Sequence, residues 1–316
     1  GAHQLPVLYW FRTVRGGPEV QFEPHLIDKL TGVGTQLTVG DVTGNGHADI
    51  VVGNKLGTSV VINSGALLDS DETLTRLQKQ IGSTDFAEVV RSAGPLSPEK
   101  EKSTFLLPPG FSAELVVAEP HIAKPMNMAF DDRGRLWVTS SEEYPIAAPT
   151  DREGKDKIVV LEDKDGDGHR ETITTFADGL NIPIGLYPYK DGVICFSIPN
   201  IWFLRDTDGD GRADKRKKLY GPVGFERDTH GMCNGFTRGF DGWLYACHGF
   251  NNHTTVAGAD GHEITMQSGN TFRMRLDGSR IEHFTHGLVN PYGMSQTPSG
   301  DLLVADCHTK PITLLI

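Results

Sequence analysis

Residues 126–138 read MNMAFDDRGRLWV, two runs of alternating apolar and polar character on either side of a tight turn at Gly134. Three similar stretches follow along the chain. They are PIGLYPYKDGVICF (183–196), CNGFTRGFDGWLYAC (233–247) and PYGMSQTPSGDLLVAD (291–306), with turn glycines at 192, 242 and 300. Each stretch predicts a β-hairpin whose glycine occupies a turn position that tolerates a positive φ. The turn glycines stand 58, 50 and 58 residues apart, which is typical of a repeat protein.

Two more strands are predicted after each of the first three hairpins. The third strands fall at 158–161, 201–204 and 271–276, and the fourth strands at 171–176, 214–220 and 281–284. Four antiparallel strands per repeat make a propeller blade, so the predicted fold class is all-β, a β-propeller with four-stranded blades. The longest inserts between strands are 142–157 and 249–270. Because the sequence ends where the fourth blade should begin its third strand, we expect an incomplete propeller, a fragment of a longer protein.

The first 64 residues show a different β-rich organisation. Strands are predicted at 7–11, 36–39, 50–52 and 59–62, separated by glycine turns. From Gly65 onward the pattern favours a small helical linker, with two short helices between 69 and 90 and a charged stretch before Pro108. We therefore predict three parts: a β segment at 1–64, a linker at 65–103 and the truncated propeller at 104–316.

Composition limits the classes of partner. The net charge of −11 argues against nucleic acid and anionic membranes, and the clustering of acids in short loops favours cation binding. No run of 18 apolar residues is present, so no transmembrane segment is predicted, and no signal segment opens the chain. The four cysteines lack the CxxC spacing, which excludes c-type haem attachment within this chain and favours buried free thiols.

Three acidic loops share one spacing: DKDGDGHRE (163–171), DTDGDGRAD (206–214) and DVTGNGHAD (41–49). Oxygen-bearing side chains stand at positions 1, 3 and 5, glycine at 6 and an acid at 9. The predicted metal ligands are Asp163, Asp165, Asp167 and Glu171; Asp206, Asp208, Asp210 and Asp214; and Asp41, Asn45 and Asp49. Oxygen-only donor sets in flexible loops favour Ca²⁺, and position 12 lacks the glutamate of an EF-hand. We expect structural calcium between outer strands; the alternative is a solvated acidic turn without metal.

Two family resemblances rest on these and neighbouring motifs. GVGTQLTVGDVTGNGHADIVVGNKLGTSVVIN (32–63) resembles the FG-GAP (VCBS) repeats of extracellular propellers. The collinear motifs from FLLPPGFSAELVVAEP (105–120) through DTHGMCNGF to VADCHTKPITLL (304–315) resemble the membrane-bound dehydrogenase family of planctomycetes and verrucomicrobia. That family is named for its likeness to quinoprotein glucose and sorbosone dehydrogenases. The resemblance implies a periplasmic, cell-surface or secreted protein.

The quinoprotein likeness implies roles for a few residues. His230, which we expect to begin the innermost strand of a blade, corresponds to the general base that takes a hydroxyl proton while hydride passes to PQQ, and Asp228 would orient its imidazole. Asn290 matches a turn residue that contacts the cofactor, whereas Val289 stands where glucose dehydrogenases carry an arginine that pairs with the quinone's carboxylate. The implied substrate is a small carbohydrate or polyol, and the implied electron acceptor is a c-type cytochrome.

The sequence leaves three functions open. The leading hypothesis is a PQQ-type oxidoreductase acting on a sugar or polyol CH–OH group, with structural Ca²⁺. The alternatives are a non-catalytic, calcium-stabilised propeller that binds carbohydrate or protein, and a calcium-dependent lactonase-like hydrolase. Nothing resembles a GxSxG elbow, a P-loop or a GxGxxG fingerprint. Further polar residues expected near the tunnel mouth are Glu142, Glu143, His248, His286, Asp306 and His308. A metal site built from His230, His248 and His308 is a further hypothesis.

Overall fold

The structure is a computed structural model that describes residues 8–14, 21–28, 36–54, 57–65, 96–108, 110–307 and 312–315. Within these ranges the chain forms 23 strands and one helix, α1 (Pro98–Ser103). Ser97 caps this helix by accepting the Lys100 N–H, and Pro98 occupies its first turn. Two compact units result: Gly1–Ala118 with Asp167–His169, and Glu119–Gly166 with Arg170–Ile316. The helices predicted between 69 and 90 lie outside the described residues.

The first unit contains a hairpin and a four-stranded antiparallel sheet. The hairpin pairs β1 (Leu8–Val14) with β2 (Gln21–Asp28), and the sheet is formed in order by β3 (Gln36–Gly40), β4 (Asp49–Asn54), β5 (Gly57–Asn63) and β6 (Phe111–Glu114). The sequence did not predict β2, because Pro24 interrupts its apolar alternation. It also assigned β6 to the propeller segment, but Ala113 pairs with the buried Val61 of β5. The predicted domain boundary at 103 remains a prediction.

The second unit carries the remaining strands in four successive sheets and one separate hairpin. The first sheet is β7 (Lys124–Phe130), β8 (Leu136–Ser141), β9 (Asp156–Glu162) and β10 (Thr172–Leu180); the second is β11 (Ile184–Tyr189), β12 (Gly192–Ser197), β13 (Asn200–Arg205) and β14 (Lys215–Tyr220). The third sheet is β15 (Asn234–Arg238), β16 (Leu244–His248), β19 (Asn270–Met274) and β20 (Ile281–Thr285). The fourth is β21 (Pro291–Gln296), β22 (Leu302–Asp306) and β23 (Ile312–Leu315). All neighbouring strands are antiparallel, so the predicted all-β fold with four-stranded blades is confirmed.

Three details differ from the sequence expectation. The insert 249–270 folds into an additional hairpin, β17 (His253–Ala257) and β18 (Glu263–Gln267), between β16 and β19. The fourth blade was expected to end before its third strand, but the structure contains this strand, β23, paired with β22. In the second hairpin the positive φ of 53° falls on Lys190, whereas Gly192 is required because a side chain there would collide with the Leu204 carbonyl.

The first strands of the four sheets lie next to one another around a common axis. Asn127 on β7 accepts the Gly185 N–H of β11 at 2.6 Å, and Asn234 on β15 accepts the Gly293 N–H of β21 at 3.3 Å. Tyr292 on β21 then donates its hydroxyl to the Met126 carbonyl of β7 at 3.3 Å. Inner first strands joined in this way are the arrangement of a β-propeller.

The apolar core of the second unit fills the space between adjacent sheets. Its largest cluster joins the second and third sheets through fully buried side chains that include Phe196, Tyr220, Met232 and Phe272. Burial of such side chains provides most of the favourable free energy that holds the blades together. The sheets expose loops at two ends. We call the end where first strands begin and second strands end the upper face, and the opposite end the lower face.

Candidate functional site

His230 lies on the upper face, in the loop that precedes β15. It is four residues before the strand, so the expectation that His230 begins the innermost strand is wrong. The backbone turns back at this point because the His230 N–H donates to the Asp228 carboxylate at 2.8 Å. That i to i+2 bond is an Asx-type turn, which competes with strand formation. The loop conformation leaves the imidazole side chain 61% exposed.

The same carboxylate also contacts the imidazole ring. The His230 Nδ1 lies 3.2 Å from Asp228 Oδ1, while the Asp228 side chain is only 21% exposed. A carboxylate at Nδ1 favours the tautomer with the proton on Nδ1, which leaves the Nε2 lone pair available. The predicted contact between His230 and Asp228 is therefore present in the structure, and the role of His230 as a base remains a prediction.

A second loop, 142–155, borders this pair from the first blade. The Tyr144 ring lies edge-on to the His230 ring, with centroids 5.2 Å apart, and the Thr229 hydroxyl donates to the Pro145 carbonyl at 2.5 Å. Burial, with a smaller contribution from the negative charge of Asp228, raises the pKa of Tyr144. Tyr144 consequently remains a neutral phenol at physiological pH.

The buried Asp156 holds the start of this loop. Its carboxylate accepts the Ser141 hydroxyl at 2.7 Å and the N–H groups of Glu142 and Glu143 at 2.6 and 3.0 Å. The Ser141 oxygen in turn accepts the Tyr144 N–H at 2.9 Å. The main chain on which Tyr144 stands is thus fixed by a chain of hydrogen bonds that begins at a fully buried charge.

The two glutamates of this loop have different surroundings. Glu143 binds both terminal nitrogens of Arg152, and these hydrogen bonds hold the pKa of Glu143 below its usual value. Glu142 is exposed, and its carbonyl accepts the Lys124 ammonium at 3.0 Å. The Glu143 carboxylate is therefore committed to holding the loop together, and Lys124 places a positive charge at the start of the first inner strand.

Asn290, the predicted cofactor contact, is occupied by protein groups. Its Oδ1 accepts the Phe250 N–H at 2.9 Å, and its Nδ2 lies 3.4 Å from the Cys307 sulfur. The neighbouring Asp306 is buried and accepts the N–H groups of Val289 and Asn290 at 2.8 and 2.9 Å. In this structure both side chains tie together loops of the third and fourth blades.

Two other histidines that the sequence singled out, His248 and His286, make different contacts in the structure. His248 is fully buried, with Nδ1 2.8 Å from the Ser268 carbonyl and Nε2 2.8 Å from the Thr254 hydroxyl, and burial lowers its pKa. His286 stacks on His283, at a ring-centroid distance of 3.6 Å. His308 lies outside the described residues. In the part of the chain that the structure describes, the groups of three or more potential metal ligands are confined to two acidic loops.

These two acidic loops lie on the lower face, away from His230. Asp163, Asp165 and Glu171 bring carboxylate oxygens within 4.8 Å of one another, and so do Asp206, Asp208 and Asp210. The first loop joins β9 to β10 and the second joins β13 to β14. Glycine N–H groups hold the first aspartate of each loop: Gly166 donates to Asp163 and Gly209 to Asp206, both at 2.7 Å.

The other predicted ligands have different roles in the structure. Asp214 accepts the N–H and hydroxyl of Thr207 at 2.8 and 2.6 Å, and these bonds lower its pKa. Asp167 belongs to the first unit and accepts the His169 N–H at 2.8 Å. As metal ligands, both residues remain a prediction.

The third acidic loop, 41–49, joins β3 to β4 of the first unit, so it follows the first strand of its sheet rather than the third. Asp49 is completely buried and accepts main-chain N–H groups of Val42 and Asn63 at 2.9 and 2.7 Å. Asp41 accepts the Asn45 and Gly46 N–H groups at 3.1 and 2.8 Å, and Asn45 accepts the His47 N–H at 2.8 Å. These bonds stabilise the loop itself.

Two known protein families match parts of this chain. Residues 97–315 match the family model described as Domain of unknown function (DUF7133). The chain belongs to this family. Residues 33–66 match the FG-GAP repeat, which confirms the predicted repeat in the first unit. Among curated proteins, none matches the sequence. Within the described residues, no helix of the DUF7133 protein has the length and apolar character needed to cross a lipid bilayer.

Several solved structures are similar to the chain at low identity. A gluconolactonase from Xanthomonas campestris shares 15% identity with a TM-score of 0.42, over 65% of this chain and 62% of that protein. A nidogen/laminin complex gives 14% identity and a TM-score of 0.36, over 64% of this chain and 79% of the other. A luciferin-regenerating enzyme gives 10% identity and a TM-score of 0.34, over 60% and 71%. The chain thus spans less than two thirds of the gluconolactonase.

Sequence reasoning missed three residues around His230. Tyr144 was visible only as part of an EEYP motif, and Asp156 and Asn252 carried no motif at all. Asn252 contacts the loop of His230 from 22 residues further along the chain, and Asp156 reaches Ile182 from a different blade. A signal for either would have required knowing which loops meet on the upper face.

Proposed function

We propose that the upper face binds a sugar or polyol and that His230 removes the proton of a substrate hydroxyl during oxidation at that carbon. The observation that carries this proposal is the exposed imidazole whose Nδ1 is held by Asp228. In the proton transfer, the substrate O–H bond breaks and an N–H bond forms at Nε2. Asp228 stabilises the resulting imidazolium, because its negative charge lies next to the ring.

Oxidation also requires a two-electron acceptor of quinone type, and PQQ is the one implied by the family resemblance. The residues at the positions that the resemblance assigns to the cofactor, and the neighbouring Arg152, do not fit its carboxylates. Val289 offers no charge, the Asn290 amide is occupied by Phe250 and Cys307, and Arg152 is paired with Glu143. We therefore derive no step through PQQ. A soluble quinone or an acceptor dye takes that role in the test below.

Replacing His230 by glutamine is expected to lower substrate-dependent dye reduction by about a hundredfold or more, because glutamine retains polarity but cannot accept a proton. The measurement uses the full chain, a panel of sugars and polyols, and an acceptor dye with and without added PQQ. His262→Gln provides a matched control, since His262 is exposed at the turn of the β17–β18 hairpin.

The outcomes separate the rival functions. Equal dye reduction in the two variants would contradict a role for His230 as base. Sugar binding by calorimetry without any turnover would favour the non-catalytic carbohydrate-binding propeller. Lactone hydrolysis without an acceptor would favour the lactonase-like hydrolase.

We also propose that the two lower-face clusters hold structural Ca²⁺. Three carboxylates with oxygens within 4.8 Å of one another repel one another, a bound cation would remove that repulsion, and exposed oxygen donors suit the large coordination shell of Ca²⁺. Each cluster lies on the loop that connects the last two strands of a blade. A bound ion would therefore stabilise the pairing of the edge strand with its neighbour. Calcium in this position supports the fold and takes no part in the chemistry at His230.

Calcium is expected to stabilise the protein by about 2.7 kcal/mol per site when the free ion is at about 100 times its Kd. Removal by a chelator should therefore lower the thermal midpoint, and Mg²⁺ should restore it poorly because Mg²⁺ demands a compact octahedral shell. The double variant Asp165→Asn, Asp208→Asn should lose this response, whereas the exposed Asp151→Asn should retain it. An equal calcium response in both variants would rule out the two clusters as the sites.

A further inference from the structure

The turn that carries His230 and Asp228 is contacted by the buried side chain of Asn252, which lies outside the loop. Asn252, which is 1% exposed, lies between β16 and β17, just before the inserted hairpin. Its own N–H donates to the Phe250 carbonyl at 2.8 Å, and its carbonyl accepts the Ser268 N–H at 3.0 Å. The third blade thus fixes the backbone from which the Asn252 side chain extends.

The Asn252 carboxamide contacts three residues of that loop. Its Oδ1 accepts the N–H groups of Arg227 and Asp228 at 3.3 and 3.2 Å, and its Nδ2 donates to the Asp228 and Gly231 carbonyls at 2.6 and 3.0 Å. An asparagine side chain offers two donor hydrogens and two acceptor positions. All four are used on residues 227–231, and they surround the turn Asp228-Thr229-His230 from both sides.

We infer that Asn252 is a positioning residue for the His230–Asp228 pair. The inference rests on the proposed function for its catalytic consequence. Asn252 does not reach the imidazole; it fixes the main chain of Asp228 and Gly231, and thereby the direction in which the Asp228 carboxylate meets Nδ1. The adjacent Thr229–Pro145 hydrogen bond connects this loop to the Tyr144 loop. An error of about 1 Å in a catalytic group can cost about a hundredfold in rate, so such a clamp matters for catalysis.

The insert that contains Asn252 supports the loop of His230 through more than one residue. The β17–β18 hairpin lengthens the third blade and exposes alternate side chains along both strands. Thr254, the second residue of β17, also holds the His230 loop. Its hydroxyl accepts the Gly224 N–H at 2.8 Å near the beginning of that loop. The hairpin therefore supports the loop that carries His230.

Asn252→Asp tests the inference, because aspartate keeps the shape of the side chain but turns its two donors into a charged acceptor facing two carbonyls. We expect turnover to fall by up to about a hundredfold, with a smaller change in KM. The nitrogen chemical shifts of His230, measured by NMR on the full chain, should move away from the tautomer with the proton on Nδ1. The matched control is Asn270→Asp, a buried asparagine whose Nδ2 donates to the Gln267 and Ser268 carbonyls and which does not touch residues 227–231.

A second variant, Asn252→Ser, guards against misfolding, because serine removes most of the contacts without adding a charge. Unchanged His230 nitrogen shifts in a folded Asn252 variant would overturn the inference, and so would equal shifts in the Asn270 control. The NMR readout needs no turnover. If the wild-type protein reduces no dye but the His230 nitrogen shifts change in the Asn252 variants and not in the Asn270 control, the proposed oxidation fails and the positioning role of Asn252 stands. If turnover depends on His230 but the His230 nitrogen shifts do not change in the Asn252 variants, the positioning role of Asn252 fails and the proposed oxidation stands.

Discussion

Asp156→Ala is expected to lower the free energy of unfolding by about 4 kcal/mol. The Asp156 carboxylate is completely buried and accepts four hydrogen bonds, from the Ser141 hydroxyl and the N–H groups of Glu142, Glu143 and Ile182. Alanine would leave these donors without an acceptor, and the bonds from Ser141 and Ile182 are buried away from water. Each unsatisfied buried donor costs about 1–3 kcal/mol, and partial relaxation of the exposed loop reduces the sum.

The bond to Ile182 gives this carboxylate a second role. Ile182 is fully buried and has a φ of 45°, a conformation that β-branched residues rarely adopt. Its N–H donates to Asp156 Oδ2 at 2.7 Å, so the charge that holds the Tyr144 loop also fixes the entry into the second blade. Loss of Asp156 should therefore loosen the junction between two blades as well as one loop.

Urea denaturation of the variant and the wild type measures this effect. Asp151→Ala, an exposed change in the same loop, is the control and should stay within about 0.5 kcal/mol of the wild type. Asp156→Asn should fall between the two, because the amide keeps one acceptor oxygen but directs an NH₂ group at two donors. A change in Asp156→Ala as small as that of the control would show that the loop and blade junction do not depend on this carboxylate.

The blade architecture could be predicted from sequence because its signals are local. Alternating apolar residues and turn glycines mark each hairpin within about 15 residues, so β7, β8, β11 and β12 were all located. The inserted β17–β18 hairpin was not predicted, although its strands alternate between buried and exposed residues, because the segment 249–270 was interpreted as an insert between the strands of a blade. β2 was missed because Pro24 interrupts its apolar alternation, and the pairing of β6 with β5 was missed because these two strands lie far apart in the sequence.

The candidate site shows the same division between local and distant contacts. His230 and Asp228 are two residues apart, so their pairing was predictable from a turn. Tyr144 and Asn252 approach the pair from two other loops, and their contribution depends on how blades pack. Asn290 was assigned to a cofactor by resemblance, but its amide meets Phe250 from the neighbouring blade, a contact that no spacing rule includes.

Tyr220→Ala is expected to destabilise the second unit by about 3–5 kcal/mol, since it removes a 1%-exposed aromatic ring from the core between the second and third blades. The Tyr220 hydroxyl lies 2.7 and 2.9 Å from the carbonyls of Arg275 and Arg280, at the turn between β19 and β20. Burial raises the pKa of Tyr220, so the phenol stays protonated and remains a donor to that turn. Tyr220→Phe removes only the hydrogen bond and should cost about 1 kcal/mol. Equal losses in the two variants would assign the stabilisation to the hydroxyl rather than to the packed ring, and urea denaturation distinguishes these results.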